Sequence, residues 1–203
     1  NHPPKETWNP TYELAYFRWA LEAAQQWRLR SGLPREPKWE DVRAKLAPLP
    51  VKDGLYLAHE NCPQTFTERN RDHPSMLAAL GVLPGPGVDR ETMRRTLRKV
   101  MSSWKWPDTW GWDYPMTAMT AARLGEPEIA LDALLLDTPK NRYLPNGHNY
   151  QRPGLHLYLP GNGGLLTAIA LMARGWDLGP EENAPGFPKT GWTVRHEGLK
   201  PVI

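Results

Sequence analysis

Trp104-Lys105-Trp106-Pro107-Asp108-Thr109-Trp110-Gly111-Trp112-Asp113 runs directly into residues 115–124, a small-residue and apolar segment closed by Gly125. A partner segment, 126–136, follows at once. An indole-rich loop, a helix, a very short turn and a second helix make one αα-hairpin, with polar chain at one end and a tight connection at the other. The asymmetry repeats outward. Residues 10–30 place Tyr12, Tyr16, Trp19, Ala20, Ala23 and Trp27 three and four apart, a helical spacing, with Thr11 or Asn9 as cap and Gly32-Leu33-Pro34 as stop. A short helix over 39–46 ends at Pro48, and a long irregular stretch spans 51–74. Further helices are predicted over 74–80 and over 89–104, the latter capped by Asp89. Beyond a second polar loop, 137–162, residues 163–174 are apolar almost all round, which predicts a helix buried on every side. From Asp177 the chain is rich in Gly and Pro, with one strand expected at 192–196. The fold class read from this pattern is all-α: stacked αα-hairpins whose long loops gather at one rim. No fixed repeat period supports a solenoid.

Composition narrows the function classes. The 203 residues are 40% hydrophobic and 23% charged, enough for a packed core. Lys and Arg number 25 against 22 acids, so the net charge of +3 is near balance. The basic run 90–99 is interrupted by Met93 and Leu97, with Val100 continuing the helical spacing, and reads as a solvated helix face; no nucleic-acid partner is expected. A single cysteine, Cys62, excludes an internal disulfide. No run approaches the roughly 18 apolar residues of a membrane span, so no membrane partner is expected. The opening, Asn1-His2-Pro3-Pro4, shows neither Met nor a signal-peptide pattern, consistent with a removed leader or a start inside something longer.

The chemistry concentrates in the loops. Four indoles between Trp104 and Trp112 cannot all be core, because each buried N–H needs a partner. Trp104 and Trp106 suit packing wedges, whereas Trp110, Trp112 and Asp113 suit a sugar site, where indole faces stack on pyranose C–H groups and acids bind hydroxyls. Asp113 at a helix start also fits a simple cap. His59-Glu60-Asn61 and Arg71-Asp72-His73 supply further loop acids and imidazoles. Glycoside hydrolysis needs two carboxylates, and Glu60, Asp72 and Asp113 are the candidates, with Asp113 and Glu60 placed first. Asp72 alternatively partners Arg71 or orients His73. Asn146-Gly147-His148-Asn149 is turn chemistry, with His148 a candidate substrate contact, and Asn162 either binds a sugar hydroxyl or caps the last helix. Gly163-Gly164 lacks the Lys and Ser/Thr of a phosphate loop. His148 and His156 lie eight apart with no close metal-ligand spacing, so neither a metal nor a cofactor is expected.

Three segments carry a resemblance. Asp72-His73-Pro74-Ser75-Met76-Leu77 with Leu80-Gly81-Val82-Leu83-Pro84-Gly85 resembles the histidine-serine-leucine…leucine-phenylalanine-proline-glycine segment of family 95 α-L-fucosidases. Gly111-Trp112-Asp113 continuing to Ala121-Ala122-Arg123-Leu124-Gly125 is similar to their glycine-tryptophan…alanine-arginine-leucine helix. Pro160-Gly161-Asn162-Gly163-Gly164 resembles their aspartate-glycine-asparagine-phenylalanine-glycine turn, with Pro160 in place of the aspartate. The three occur in the family's order. At the superfamily level this resembles the six-hairpin glycosidases, which include families 65 and 15. It implies that residues 1–176 are the C-terminal part of an (α/α)6 catalytic toroid, with 177–203 an irregular tail. It further implies a glycoside hydrolase acting on an oligosaccharide or polysaccharide outside the cell or in the periplasm. His59, His73, Trp110, Trp112, His148 and Asn162 stand as substrate contacts. Pro160 means that a base cannot be carried over at that turn. A toroid of about twelve ordinary helices needs well over 203 residues. The remaining hairpins are therefore expected on another segment of the gene product or on a partner chain. Competing readings are a non-catalytic carbohydrate-binding or scaffold module, phosphorolysis, and nucleic-acid binding through 90–99 with a steep salt dependence.

Overall fold

The computed structural model describes residues 3–202. The first two positions of the opening Asn1-His2-Pro3-Pro4 lie outside the described residues. Among the described residues seven α-helices dominate: α1 Thr11–Arg30, α2 Pro37–Lys45, α3 Ala78–Gly81, α4 Arg90–Ser103, α5 Asp113–Leu124, α6 Pro127–Leu135 and α7 Leu159–Arg174. Two small antiparallel hairpins interrupt the loops: β1 Val51–Lys52 with β2 Leu55–Tyr56, and β3 Arg142–Tyr143 with β4 Asn149–Tyr150. The chain is mostly helical, as its periodicity predicts. The first hairpin falls in the segment read as irregular. Its turn residues, Asp53 and Gly54, both have positive φ (52° and 73°), the geometry a two-residue hairpin needs.

The centre of the molecule is α5. All twelve of its residues are buried, and it packs against α6, α7, α3 and α4. This corrects the expectation for the last helix. Helix α7 buries Gly161, Ala168, Leu171, Met172 and Ala173, but Leu166 is 72% exposed, and Leu159 and Ile169 also face outward. The polar residues of α5 obscured its position in the sequence. Thr117 Oγ1 donates back to the Asp113 carbonyl at 2.7 Å and Thr120 Oγ1 to the Leu77 carbonyl at 2.9 Å, so these hydroxyls enter the core satisfied. Small side chains at Ala118, Ala121 and Ala122 then let neighbouring helices approach closely.

That closeness is most severe at Gly81. A Cβ there would lie 2.4 Å from Thr120 Oγ1 and 2.6 Å from the Met116 carbonyl oxygen. A backbone carbonyl inside a helix cannot step aside. Gly81→Ala is therefore expected to cost about 1–3 kcal/mol, measured as a lowered denaturant midpoint.

Helix α4 is tied to the far end of α5. Asp89 caps α4 by accepting from the Thr92 N–H at 2.8 Å, as its position predicts. Arg94 donates to the Leu124 carbonyl at 2.8 Å, and Arg90 donates to the Arg123 carbonyl, so two basic residues satisfy the last carbonyls of α5. Arg94 and Arg98 also pair with Glu126 at 2.9 and 2.8 Å. The run 90–99 is thus an inter-helix tether as well as a solvated face. Gly125, at φ 77°, ends α5 in the left-handed conformation and turns the chain into α6.

Helix α1 differs from expectation in two ways. Pro10 occupies its N-cap without a side-chain bond; Thr11 instead donates through Oγ1 to the Leu57 carbonyl at 2.6 Å, docking the helix on the loop. The helix buries Leu14, Ala15 and Gln25; of the aromatic stripe, Tyr12 and Trp19 pack half-buried against the core, while Tyr16 is exposed and Trp27 is 66% exposed. The tail from Asp177 contains no strand at 192–196. Its end returns to Trp176 through a lone parallel bridge with Val202, while Ala184 and Phe187 bury against the core. Among the described residues no helix is long and apolar enough to cross a membrane.

Candidate functional site

The start of α5 gathers the most unusual chemistry. Asp113, its first residue, is fully buried. Asp113 Oδ2 accepts from the Trp110 N–H at 2.8 Å while the Asp113 N–H donates to the Trp110 carbonyl at 3.0 Å, a reciprocal lock that folds the indole loop onto the helix. Against this carboxylate stands His73, from the loop before α3, with Nδ1 at 2.9 and 3.1 Å from the two oxygens. About one third of the His73 side chain reaches solvent. The capping reading of Asp113 is corrected: Trp112 holds the N-cap without a side-chain bond, and Asp113, the first helical residue, turns its carboxylate back onto the indole loop and holds an imidazole at the surface.

The surroundings of His73 are aromatic. Its ring centroid lies 5.2 Å from that of Trp112, edge to face, and 6.0 Å from that of Trp110. Tyr158, just before α7, adds a third ring 5.5 Å from Trp110. Asp72 completes the group. Asp72 Oδ1 accepts from Trp110 Nε1 at 3.0 Å and lies 3.6 Å from His73 Nε2, while the Asp72 carbonyl accepts from Trp104 Nε1 at 2.9 Å. Of its two sequence readings, the placement beside His73 is seen in that 3.6 Å approach. Its φ of 61° is a left-handed conformation that costs a non-glycine residue about 1–3 kcal/mol and concentrates at functional positions. Trp104 and Trp106 are buried wedges, as their positions predict.

Burial pushes the Asp113 carboxyl up from an ordinary 3.8 to about 6, against the lowering pull of His73 and the Trp110 N–H. His73 is raised above 6.5: burial opposes its charge, but the Asp113 and Asp72 carboxylates outweigh that effect. Tyr158 is pushed up to about 12 by burial, then by the charges of the same two acids. Nδ1 of His73 is also 3.0 Å from Trp112 Nε1, so a proton on Nδ1 serves Asp113 and a bare Nδ1 accepts from Trp112.

A stability prediction follows. Both Asp113 and His73 keep protons to higher pH in the folded chain than in the unfolded one, so the folded state binds more protons between about pH 4 and a point above 6.5. Their contribution to stability is complete at low pH and declines as pH rises through that window. Glu22, lowered to about 2 chiefly by its bond to Arg35, acts oppositely as pH falls below about 4.5. Thermal melts from pH 4 to 8 are expected to show wild type losing stability relative to Asp113→Asn; parallel curves would contradict the assignment.

The loop 137–158 is anchored onto this group by Asn149, which the sequence left as turn chemistry, by Gln151, which it did not single out, and by Asn162. Asn149, wholly buried on β4, donates from Nδ2 to the Lys140 and Arg142 carbonyls, each at 3.1 Å. Its Oδ1 is wedged between two glycines: a Cβ on Gly111 would lie 1.8 Å from it, and one on Gly161 2.1 Å. Gln151 accepts from the Gly111 N–H at 2.9 Å and donates to the Thr109 carbonyl at 3.2 Å. Asn162 lies inside the first turns of α7, which begins at Leu159 rather than Gly163. Its Oδ1 accepts from the Asn149 N–H at 3.0 Å and its Nδ2 donates to the Gly147 carbonyl at 2.7 Å. The side chain is a loop staple rather than a helix cap. His148 occupies the β3–β4 turn; Asn146 donates to its ring, and its N–H bonds Asn146 Oδ1, both at 3.2 Å.

His59 and Glu60 make hydrogen bonds within their own loop and to the chain before α1. His59 is buried and its Nδ1 lies 2.7 Å from Asn61 Oδ1; Glu60 accepts from Asn9 Nδ2 at 2.6 Å and its N–H bonds the Trp8 carbonyl. The pair serves the docking of the chain before α1. The carboxylate directly beside His73 and Asp113 is Asp72, and Asp113 has no exposed surface with which to touch a ligand. The larger cavities, about 670 Å3 near Trp176 and about 590 Å3 around 137–143, lie apart from His73. Among the described residues no cluster of three His, Cys, Asp or Glu side chains is placed to hold a metal. No protein-family model, curated protein or solved structure matches the chain.

Proposed function

We propose that the chain forms one side of a glycan-cleaving site in a helical toroid of the six-hairpin glycosidase kind. The observation that carries this reading is the His73 imidazole, held from beneath by a wholly buried carboxylate and flanked by Trp110, Trp112 and the carboxylate of Asp72. Indole faces suit pyranose C–H groups. Asp72 is the carboxylate able to meet a substrate, His73 binds or relays a proton, and Asp113 positions His73. A second acid then comes from elements outside the chain. Exposed apolar side chains on α7 (Leu159, Leu166, Ile169) and on α1 (Phe17, Trp27) supply the faces on which further hairpins would pack. Action on external glycans follows from the same resemblance.

The alternative is a carbohydrate-binding module that uses the same indoles without turnover, and the complete burial of Asp113, which leaves Asp72 as the carboxylate of the group able to meet a ligand, is what favours it. The two separate on Asp72→Asn, with oligosaccharide affinity and release of reducing ends measured on the full-length gene product. A glycosidase loses at least a hundredfold in turnover while its affinity changes little. A wild-type protein that binds sugars and releases no reducing ends is the binding module.

A further inference from the structure

A second cleft opens beside Trp110. About 260 Å3 in volume, it is lined by Trp110, Asp108, Lys140, Gln151 and Arg152, among others. Its floor is fixed. Gln151 is buried and bridges the Thr109 carbonyl and the Gly111 N–H, so the indole loop and the following hairpin meet there in one register. Lys140 is half-buried, and its Nζ donates to the Gln151 carbonyl at 2.9 Å. One of three ammonium protons is spent on that tether, leaving two for a ligand. Arg152 rises from a tight turn that pairs it with Leu155 and presents an exposed guanidinium fork. Asp108 is the one acid of the lining, and no described ion pair joins it to Lys140 or Arg152. Two cations thus face one carboxylate on a wall shared with the indole that flanks His73.

We infer that this cleft is a subsite for an acidic sugar, a uronate or sulfated unit adjoining the one held at His73. The inference rests on the glycan reading given above. A tethered ammonium supplies a fixed point charge, and the guanidinium fork matches the two oxygens of a carboxylate or sulfate. Trp110 gives the same sugar an apolar face. A neutral hexose gains the stacking and leaves both cations without a partner; an acidic one satisfies all three groups. The preference is therefore for anionic glycans over neutral ones of the same linkage.

The test uses paired oligosaccharides of the same linkage, one neutral, one with uronate units and one sulfated, titrated into the full-length protein by calorimetry at two salt concentrations. At least one acidic ligand is expected to bind tenfold or more tightly than its neutral counterpart, with the advantage shrinking at higher salt. Which of the two acidic ligands shows it identifies the substituent. Arg152→Gln, an exposed change unlinked to the fold, is expected to remove most of that advantage, and Lys140→Met the rest. Equal affinity for neutral and acidic ligands overturns the acidic subsite and leaves the glycan reading standing. Failure of every sugar to bind overturns both.

Discussion

Asp113→Ala is expected to destabilise the protein by about 2–3 kcal/mol and to abolish whatever activity the site supports. The carboxylate has no exposed surface and accepts from the Trp110 N–H and from His73. Removing it leaves a buried N–H unsatisfied and an imidazole without its anchor. The cost stays at the lower end of the range for broken buried pairs because one third of His73 reaches water and can rehydrate. Asp113→Asn separates the two roles. The amide oxygen still accepts from Trp110, so stability falls less, but the negative charge is gone and His73 titrates lower than in the wild type, because burial is then opposed by Asp72 alone. Histidine NMR on both variants reads this directly. An unchanged His73 titration would mean that the carboxylate does not control the ring.

Gly111→Ala is expected to be the second severe change, and it tests whether the polar loops depend on one another. The new methyl would lie 1.8 Å from Oδ1 of Asn149, a side chain fixed by two backbone carbonyls and unable to retreat. Either the β3–β4 hairpin lifts from the indole loop or the loop shifts and takes Trp110 with it. Overpacking of this kind costs about 1–3 kcal/mol, and loss of the Gln151 bridge to the Gly111 N–H adds to it. The expected readout is a lowered melting temperature with faster amide exchange over residues 142–158. Gly147→Ala is the control. It meets open space, carries only the conformational penalty of φ 82°, and is expected to leave exchange outside its own turn unchanged. Equal effects from the two would show that the wedge does not hold the loops together.

The sequence made the helices, the αα-hairpin at 113–135 and the crowding of chemistry at the start of α5 readable, because these follow from local rules. Apolar spacing, Asp89 as a cap and Gly125 as a stop each act within a few residues. Asp113, His73, Trp110 and Trp112 were legible as candidates because acids and indoles at a helix start are costly unless satisfied or used, and the structure brings these four side chains together. What remained hidden depends on distance in the chain. Whether α5 or α7 lies at the centre is decided by threonine hydroxyls that fold back on the backbone, and composition counts those residues as polar. Asn149 read as a turn residue and Gln151 drew no reading of its own, because their partners, Gly111 and Thr109, lie some forty positions away. Glu60 ranked ahead of Asp72 in the sequence; the docking of residues 8–11 on the Glu60 loop and the approach of Asp72 to His73 are what tell them apart.

The central claim, that the loops before α3, α5 and α7 together make a sugar-binding face around His73, is tested most directly by indole NMR. Adding oligosaccharides to the full-length protein, taken one at a time from a neutral and acidic panel, should shift the Nε1–H signals of Trp110 and Trp112. The indole signals of Trp8, Trp27 and Trp192, which are exposed elsewhere, should stay in place. Saturating shifts confined to the first pair are the predicted result. Shifts confined to the exposed trio, or none with any sugar, would contradict the account.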